Sequence, residues 1–248
     1  MDPALWELIN GENEIDEVEA IIRLDRPRSV PAGVRIVSRF GPIATCRLSR
    51  QAIVRTHGEE SVLSLKAPRL LGPEPEPEEA RAPRLPGVPL HTDRRRDPGT
   101  PLTGAGVVVA VVDWGCDFAH PNFRNADGST RLVALWDQRG PPSPAAAEPY
   151  GYGIVHRRRD IDDALRTGTP YQTLGYHPAD ADSGGSGAHG THVMDIAAGS
   201  GRVGPAGVAP QADLVFVHLA NRATGGLANL GDSARILEAI DFVSRTAG

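Results

Sequence analysis

Two histidines stand three residues apart in the segment S-G-A-H-G-T-H-V-M-D-I-A-A-G, as His189 and His192. Such a pair can bind a metal, run a proton relay or lie at the start of a helix. A catalytic zinc usually needs a third protein ligand and an adjacent Glu, as in H-E-x-x-H, and this segment has neither. The segment therefore favours a relay or a structural helix start, and a relay needs a carboxylate to hold the imidazole.

The candidate carboxylate is Asp113, which ends the β-branched run V-V-V-A-V-V-D. A continuous apolar run of this kind predicts a strand that is buried on both faces of a parallel sheet. Chemistry in open α/β sheets gathers beyond the carboxyl ends of such strands. Taken alone, an Asp at the end of a strand is more often a helix cap or a loop residue.

Further elements around these residues predict an α/β unit. The segment A-D-L-V-F-V-H-L (212–219) is a second strand, and the final residues form an amphipathic helix with Ile236, Ile240 and Val243 on one face. Alternation of strands and helices indicates α/β architecture. So few strands would leave an open sheet edge and an uncovered face, so we expect the 248 residues to be part of a larger domain.

The chain divides into three parts. Residues 70–101 are rich in proline and poor in large apolar side chains, which predicts an extended linker. It separates a small unit, 1–69, from a larger one, 102–248. In the small unit a helix is expected from Ser49 as N-cap to a stop at Gly58. Its strands are predicted at 18–24, 34–38, 43–48 and 61–66.

Composition excludes several function classes. A formal charge of −5 gives no electrostatic reason to expect nucleic acid as a partner. No apolar stretch approaches the roughly 20 residues that span a bilayer, so no membrane partner is expected. The acidic start lacks the layout of a signal peptide, which predicts a cytoplasmic protein. Cys46 and Cys116 are expected to be buried, reduced thiols.

Together, the two motifs resemble those of the subtilase (subtilisin-like) serine proteases. V-V-A-V-V-D-W-G-C-D-F-A-H-P-N-F resembles the aspartate motif, and S-G-A-H-G-T-H-V-M-D-I-A-A-G resembles the histidine motif. G-V-A-P-Q-A-D-L-V-F-V is similar to the segment that leads into the next strand, and the order of the motifs fits. The resemblance covers roughly residues 100–248, with an insertion at about 137–183.

The resemblance implies a serine-type endopeptidase that acts on peptide or protein substrates. His189 would be the general base, Asp113 would orient it, and His192 would be structural. The family's nucleophile lies in a G-T-S-M-A-A-P-like motif, and no such motif occurs in these 248 residues. The chain is therefore expected to be truncated before the serine and inactive as supplied. The alternative is a pseudoprotease, a non-catalytic module that binds peptides or proteins.

Several positions depart from the family pattern. Trp114 replaces a small hydroxyl residue after the aspartate, and Met194-Asp195 replaces an Ala-Gly pair. Asn122 stands where a calcium-ligating Asp often lies, and the loop G-S-G-R-V-G-P-A-G-V-A-P looks shorter than the family's calcium loop. Because calcium requires several charged oxygen ligands, we expect no cofactor.

The N-terminal unit resembles the subtilase propeptide, a small domain that packs on the protease and inhibits it. Its first helix looks reduced to R-P-R-S-V-P-A-G, and an ordinary N-terminal domain is the alternative. The segment T-G-G-L-A (224–228) would be the edge strand that pairs with substrate. The predicted fold is thus a partial, parallel-sheet, subtilisin-like α/β domain, preceded by a small ferredoxin-like α+β domain of propeptide type.

Overall fold

A computed structural model gives the architecture of the chain. It describes residues 2–10, 17–70, 102–140, 148–181, 189–219 and 232–248. The predicted linker beyond Leu70 and the predicted edge strand at 224–228 lie outside these residues, and the predicted insertion is described in part.

The N-terminal unit is a four-stranded antiparallel sheet with two helices. Its strands run in the order β2-β3-β1-β4. One helix connects β3 to β4, and the connection from β1 to β2 has no helix, so the unit has a ferredoxin-like strand order with one crossover helix missing. The elements are α1 (Pro3–Asn10), β1 (Glu17–Leu24), β2 (Val34–Phe40), β3 (Ile43–Ser49), α2 (Ala52–His57) and β4 (Val62–Lys66).

The helices of this unit differ in part from the expectation. α1 was not predicted, and it inserts a fully buried Leu5 into the core of the sheet. Helix α2 ends before Gly58, as predicted, but it begins at Ala52, so the prediction of Ser49 as its N-cap is wrong. The reason is the ladder between β1 and β3, which extends to a pairing of Glu17 with Ser49 and holds that residue in the strand.

The C-terminal unit contains a sheet of order β5-β8-β6-β7. Strands β5, β8 and β6 are parallel, and β7 pairs with β6 in the antiparallel sense. The predicted strands at Val107–Val112 and 212–219 are confirmed within a residue or two. The elements are β5 (Val108–Asp113), β6 (Leu132–Asp137), β7 (Ile154–Arg157), α3 (Arg158–Leu165), α4 (Pro170–Leu174), α5 (His189–Ala198), β8 (Asp213–His218) and α6 (Ser233–Ala247).

Helices cover both faces of this sheet. On one face Phe216 packs with Met194 of α5, and on the other Val217 packs with Phe242 of α6. Strand β8 is almost fully buried, whereas β5 lies at the edge of the described sheet and is partly exposed. The prediction that the run before Asp113 is buried on both faces is therefore wrong, because an edge strand has a neighbour on one side alone. The register aligns the ends of the three parallel strands, so that Asp113, His218 and Asp137 stand side by side.

Helix α6 does not bury the face that the sequence predicted. Ile240 is 44% exposed, whereas Arg235 and Glu238 are 1% and 0% exposed. An apolar stripe therefore did not decide the orientation of this helix. Val37 of the N-terminal unit belongs to the same core as Phe242, so the first sheet packs against α6 and covers its polar side.

Buried ion pairs join the two units at this interface. Arg47 donates to both carboxylate oxygens of Glu238, at 2.9 and 3.1 Å. The Tyr152 hydroxyl donates to the same carboxylate at 2.7 Å, and Arg235 bonds to Glu19 at 3.0 Å. Since buried charges are tolerated only when they are paired and hydrogen-bonded, these contacts explain why α6 can bury its charged residues.

We expect Arg47→Met to lower the free energy of unfolding by about 3–5 kcal/mol, because Glu238 would remain buried without its main cation. The double variant Arg47→Met/Glu238→Met should recover most of that loss. Urea unfolding of the full chain measures both. Arg35→Met is the matched control, since its ion pair with Glu17 is about half exposed; its cost should stay below about 1 kcal/mol. Equal costs for the two single variants would contradict the prediction.

Candidate active site

The structure brings Asp113 and His189 into hydrogen-bonding contact. Asp113 is the last residue of β5 and His189 the first residue of α5, and Asp113 Oδ1 lies 2.7 Å from His189 Nδ1. The carboxylate side chain is 9% exposed, and the imidazole is 64% exposed. With Nδ1 bound to the carboxylate, Nε2 is the ring nitrogen that remains to exchange a proton with a ligand.

Backbone hydrogen bonds hold the strand end against the start of the helix. Gly190 N donates to Trp114 O at 2.7 Å, and Thr191 N donates to Gly115 O at 3.0 Å. The first N–H groups of a helix have no partners within it, and here the loop after β5 supplies the acceptors. Trp114 N in turn donates to Asp113 Oδ1 at 2.6 Å. The relative position of carboxylate and imidazole is therefore set largely by main-chain contacts.

Gly190 is required by this close approach. A Cβ at this position would lie 2.6 Å from Trp114 O and 2.7 Å from the Phe216 ring. Neither the loop carbonyl nor the buried ring could give way without moving the helix. The glycine between the histidine and Thr191 thus allows α5 to reach the strand end.

Thr191 and Tyr171 extend the network beyond the two predicted residues. Thr191 Oγ1 accepts a hydrogen bond from Asp117 N at 2.8 Å, and the Tyr171 hydroxyl donates to Asp117 Oδ1 at 2.6 Å. Tyr171 lies on α4, within the predicted insertion. Helix α4 therefore supports the loop that follows Asp113, a role that sequence reasoning missed because the residues are distant along the chain.

A buried histidine lies beside the pair. His218 ends β8 directly opposite Asp113, and its Nδ1 lies 2.8 Å from the Tyr176 hydroxyl. The same hydroxyl accepts from Cys116 N at 3.0 Å. Burial, with a contribution from the Arg139 cation, lowers the pKa of His218 from 6.5 to about 4. The imidazole is therefore neutral near pH 7, and the tyrosine hydroxyl can donate to it. A histidine at the end of a buried strand was the available sequence signal.

The remaining residues of the histidine helix have separate roles. His192 is exposed and forms no hydrogen bond to Asp113. Met194 is fully buried in the core, and Asp195 Oδ1 accepts from the Asn122 amide at 2.7 Å. The Asp195 carboxylate, six residues after His189, is thus engaged by the Asn122 side chain.

Hydrogen bonds occupy the region where the sequence raised the question of calcium. The Asn122 side chain also bonds to the backbone of Val203. Arg131, 4% exposed, donates to the carbonyls of Asn122, Ala198 and Ala212. Within the described ranges, no group of three or more His, Cys, Asp or Glu could hold a metal ion.

Both cysteines are buried and unpaired, as predicted. Burial raises the pKa of the Cys46 thiol to about 12 and that of Cys116 well above its ordinary value. Neither thiol is thus poised to react as a thiolate. Among the helices of the described segments, none combines the length and apolar character that crossing a bilayer requires.

Comparison with known proteins identifies the class to which this fold and site belong. The family model described as "Subtilase family" matches residues 104–244, which include both Asp113 and His189. Because the match extends over more than half of the chain, the chain belongs to the subtilase family. The α/β fold and the recognition of the family from its motifs are therefore confirmed.

One solved structure with similarity to this chain is titled "Structure of the Clostridium Perfringens CspB protease". The two sequences are 25% identical, and the TM-score is 0.47. The alignment covers 59% of this chain and 27% of the other, so this chain spans about a quarter of that protein's length. Among curated proteins, none matches this chain.

The burial of His218 predicts a pH dependence of stability. Its pKa is about 4 in the folded chain and 6.5 ordinarily, so the unfolded state binds more protons between these values. The stabilisation is present above pH 6.5 and is lost as the pH falls towards 4, by about 3 kcal/mol. His218→Gln keeps an acceptor for Tyr176 but does not titrate. The variant should therefore lose less stability than the wild type between pH 7 and pH 4.5.

Urea unfolding of the wild type and of His218→Gln at the two pH values measures this difference. The carboxylates are the same in both proteins, so their contribution cancels. His192→Gln is the matched control, because that histidine is exposed. It should show the same loss as the wild type. An identical pH dependence of wild type and His218→Gln would contradict the prediction.

Proposed function

We propose that the chain forms the Asp–His part of a serine-type endopeptidase of the subtilase family. The observation that carries this proposal is the 2.7 Å contact between Asp113 Oδ1 and His189 Nδ1. It joins a shielded carboxylate to an imidazole that is mostly exposed. This is the arrangement that a general base needs, because one nitrogen is oriented and the other remains accessible.

In this mechanism His189 Nε2 takes the proton of a serine hydroxyl while the serine oxygen bonds to the peptide carbonyl carbon. The imidazolium then returns the proton to the leaving amine as the C–N bond breaks. Because His189 begins α5, the positive end of the helix dipole disfavours the imidazolium. The Asp113 carboxylate opposes this effect and fixes the tautomer with the proton on Nδ1.

The nucleophile must come from outside these 248 residues, since they contain no G-T-S-M-A-A-P-like motif. The chain alone is therefore expected not to hydrolyse peptides, because loss of the nucleophile removes most of the rate enhancement in serine proteases. The proposed substrate is a peptide or protein chain, as expected of an endopeptidase of this family.

The test is labelling of the protein, expressed in its complete reading frame, with a fluorophosphonate, which reacts with activated serines. We expect labelling of the wild type, and a reduction of roughly 10⁴-fold in the labelling rate for His189→Ala and Asp113→Ala. His192→Ala is the matched control: it removes the other histidine of the motif, which lies exposed on the same helix. Its labelling should equal that of the wild type.

Two outcomes would count against the proposal. Equal labelling of the His189→Ala variant would show that another group activates the serine. No labelling of a folded wild-type protein would favour the alternative of a pseudoprotease that binds peptides.

The N-terminal unit is proposed to act as a propeptide-like partner of this catalytic part. In support, its sheet packs against α6 through the buried pair of Arg47 and Glu238. The segment after β4 also contacts the catalytic part, because Arg69 N donates to Ser233 Oγ and Leu70 forms a β-bridge with Asp232. Contacts of this kind do not depend on a covalent connection between the units.

We therefore expect the two units to remain associated after the linker is cut. A specific protease site inserted in residues 71–101 would allow cleavage of the folded chain, followed by size-exclusion chromatography. Both wild-type fragments should co-elute, and the Arg47→Met fragments should separate at protein concentrations at which the wild-type fragments still co-elute. Separate elution of the wild-type fragments would contradict the proposed association.

A further inference from the structure

The indole of Trp114 lies against the imidazole of His189. Their ring centroids are 5.7 Å apart, with an angle of 47° between the planes. Trp114 is partly exposed, in contrast to Trp136, which is fully buried. A large aromatic side chain therefore lies beside the exposed imidazole of the Asp113–His189 pair.

We propose that Trp114 is a specificity-determining residue, whose indole contacts the peptide substrate and favours an apolar side chain next to the bond that is cleaved. This inference rests on the proposed function, because a peptide bond reacts beside His189 only if that residue is the general base for the serine. It adds a substrate preference that the Asp–His pair by itself does not supply.

Geometry limits what the indole can contact. A reacting peptide carbonyl must come within about 3–3.5 Å of a nucleophile that is itself hydrogen-bonded to His189 Nε2. The side chains that flank this carbonyl then lie within a few ångströms of the imidazole. Trp114 covers one side of that ring, so a flanking side chain on this side meets the indole rather than water.

The contribution of Trp114 to the Asp–His pair comes from its backbone. Its N–H donates to Asp113 Oδ1, and its carbonyl accepts from Gly190 N. Any residue other than proline would keep the N–H donor, so the pair does not explain a side chain of this size. Across the described residues the indole has no hydrogen-bond partner, and its ring contact is with His189.

An apolar side chain that packs on the indole removes apolar area from water on both surfaces. Discrimination of this kind in hydrophobic sites is typically 10–200-fold per methylene-sized difference. We therefore expect a preference for leucine over aspartate of at least about 10-fold at the position that contacts the indole.

The experiment compares fluorogenic peptides that differ by one residue beside the cleaved bond, carrying leucine, alanine or aspartate there, on the complete protein. Trp114→Ser should lower kcat/KM for the leucine peptide about 10-fold and leave the alanine peptide unchanged. Trp114→Phe should restore most of the preference. Trp6→Ser, at an exposed tryptophan on α1, is the matched control and should change neither value.

A fall of equal size for all three peptides would overturn the inference, because it would indicate a structural role for the indole. An unchanged preference in Trp114→Ser would overturn it as well, while fluorophosphonate labelling would still support the proposed function.

If the complete protein is not labelled, the proposed function fails, and Trp114 is then tested by binding. The affinity of the 248-residue chain for fluorescein-labelled versions of the same peptides is measured by anisotropy. A leucine preference that is lost in Trp114→Ser supports the inference. No binding, or a preference that the variant retains, overturns it.

Discussion

The site depends on the contact between the end of one parallel strand and the first turn of one helix. The main-chain bonds from Gly190 N to Trp114 O and from Thr191 N to Gly115 O use helix N–H groups that would otherwise be unsatisfied. They bring the Asp113 carboxylate to 2.7 Å from His189 Nδ1 without any side chain having to span a gap. Gly190 is the residue that makes this approach possible, because any Cβ there would collide with the loop carbonyl.

The surroundings of this contact are stabilised by hydrogen bonds between buried and partly buried polar groups. Tyr176 ties Cys116 N to the neutral ring of His218, and Tyr171 and Thr191 both bond to Asp117. Because unpaired polar groups in the interior are costly, such a network specifies one arrangement of loop, strand and insertion. Helix α4, which carries Tyr171, and the nearby Tyr176 therefore support the loop after Asp113.

The same principle governs the interface between the two units. Arg47, Glu238 and Tyr152 form a set of charge-assisted hydrogen bonds that is nearly excluded from solvent. Pairs of this kind add little net stability relative to apolar packing, but they strongly disfavour any arrangement that leaves one member unpaired. The position of the N-terminal sheet on α6 is accordingly selective, and it hides charges that an isolated helix would expose.

Local patterns in the sequence determined much of the fold and the candidate pair. The β-branched run before Asp113 predicted a strand, and the small residues around His189 predicted the start of a helix, since both follow from backbone preferences over a few residues. The burial of that strand was predicted wrongly, because its place at the sheet edge depends on how the strands pair. Burial of Glu238 and Arg235, and the link from Tyr176 to His218, could not be predicted in this way. Their partners are distant in the chain, and only tertiary packing decides which polar side chain meets another. For that reason the sequence predicted Ile240 on the buried face of α6, whereas the folded chain leaves it exposed.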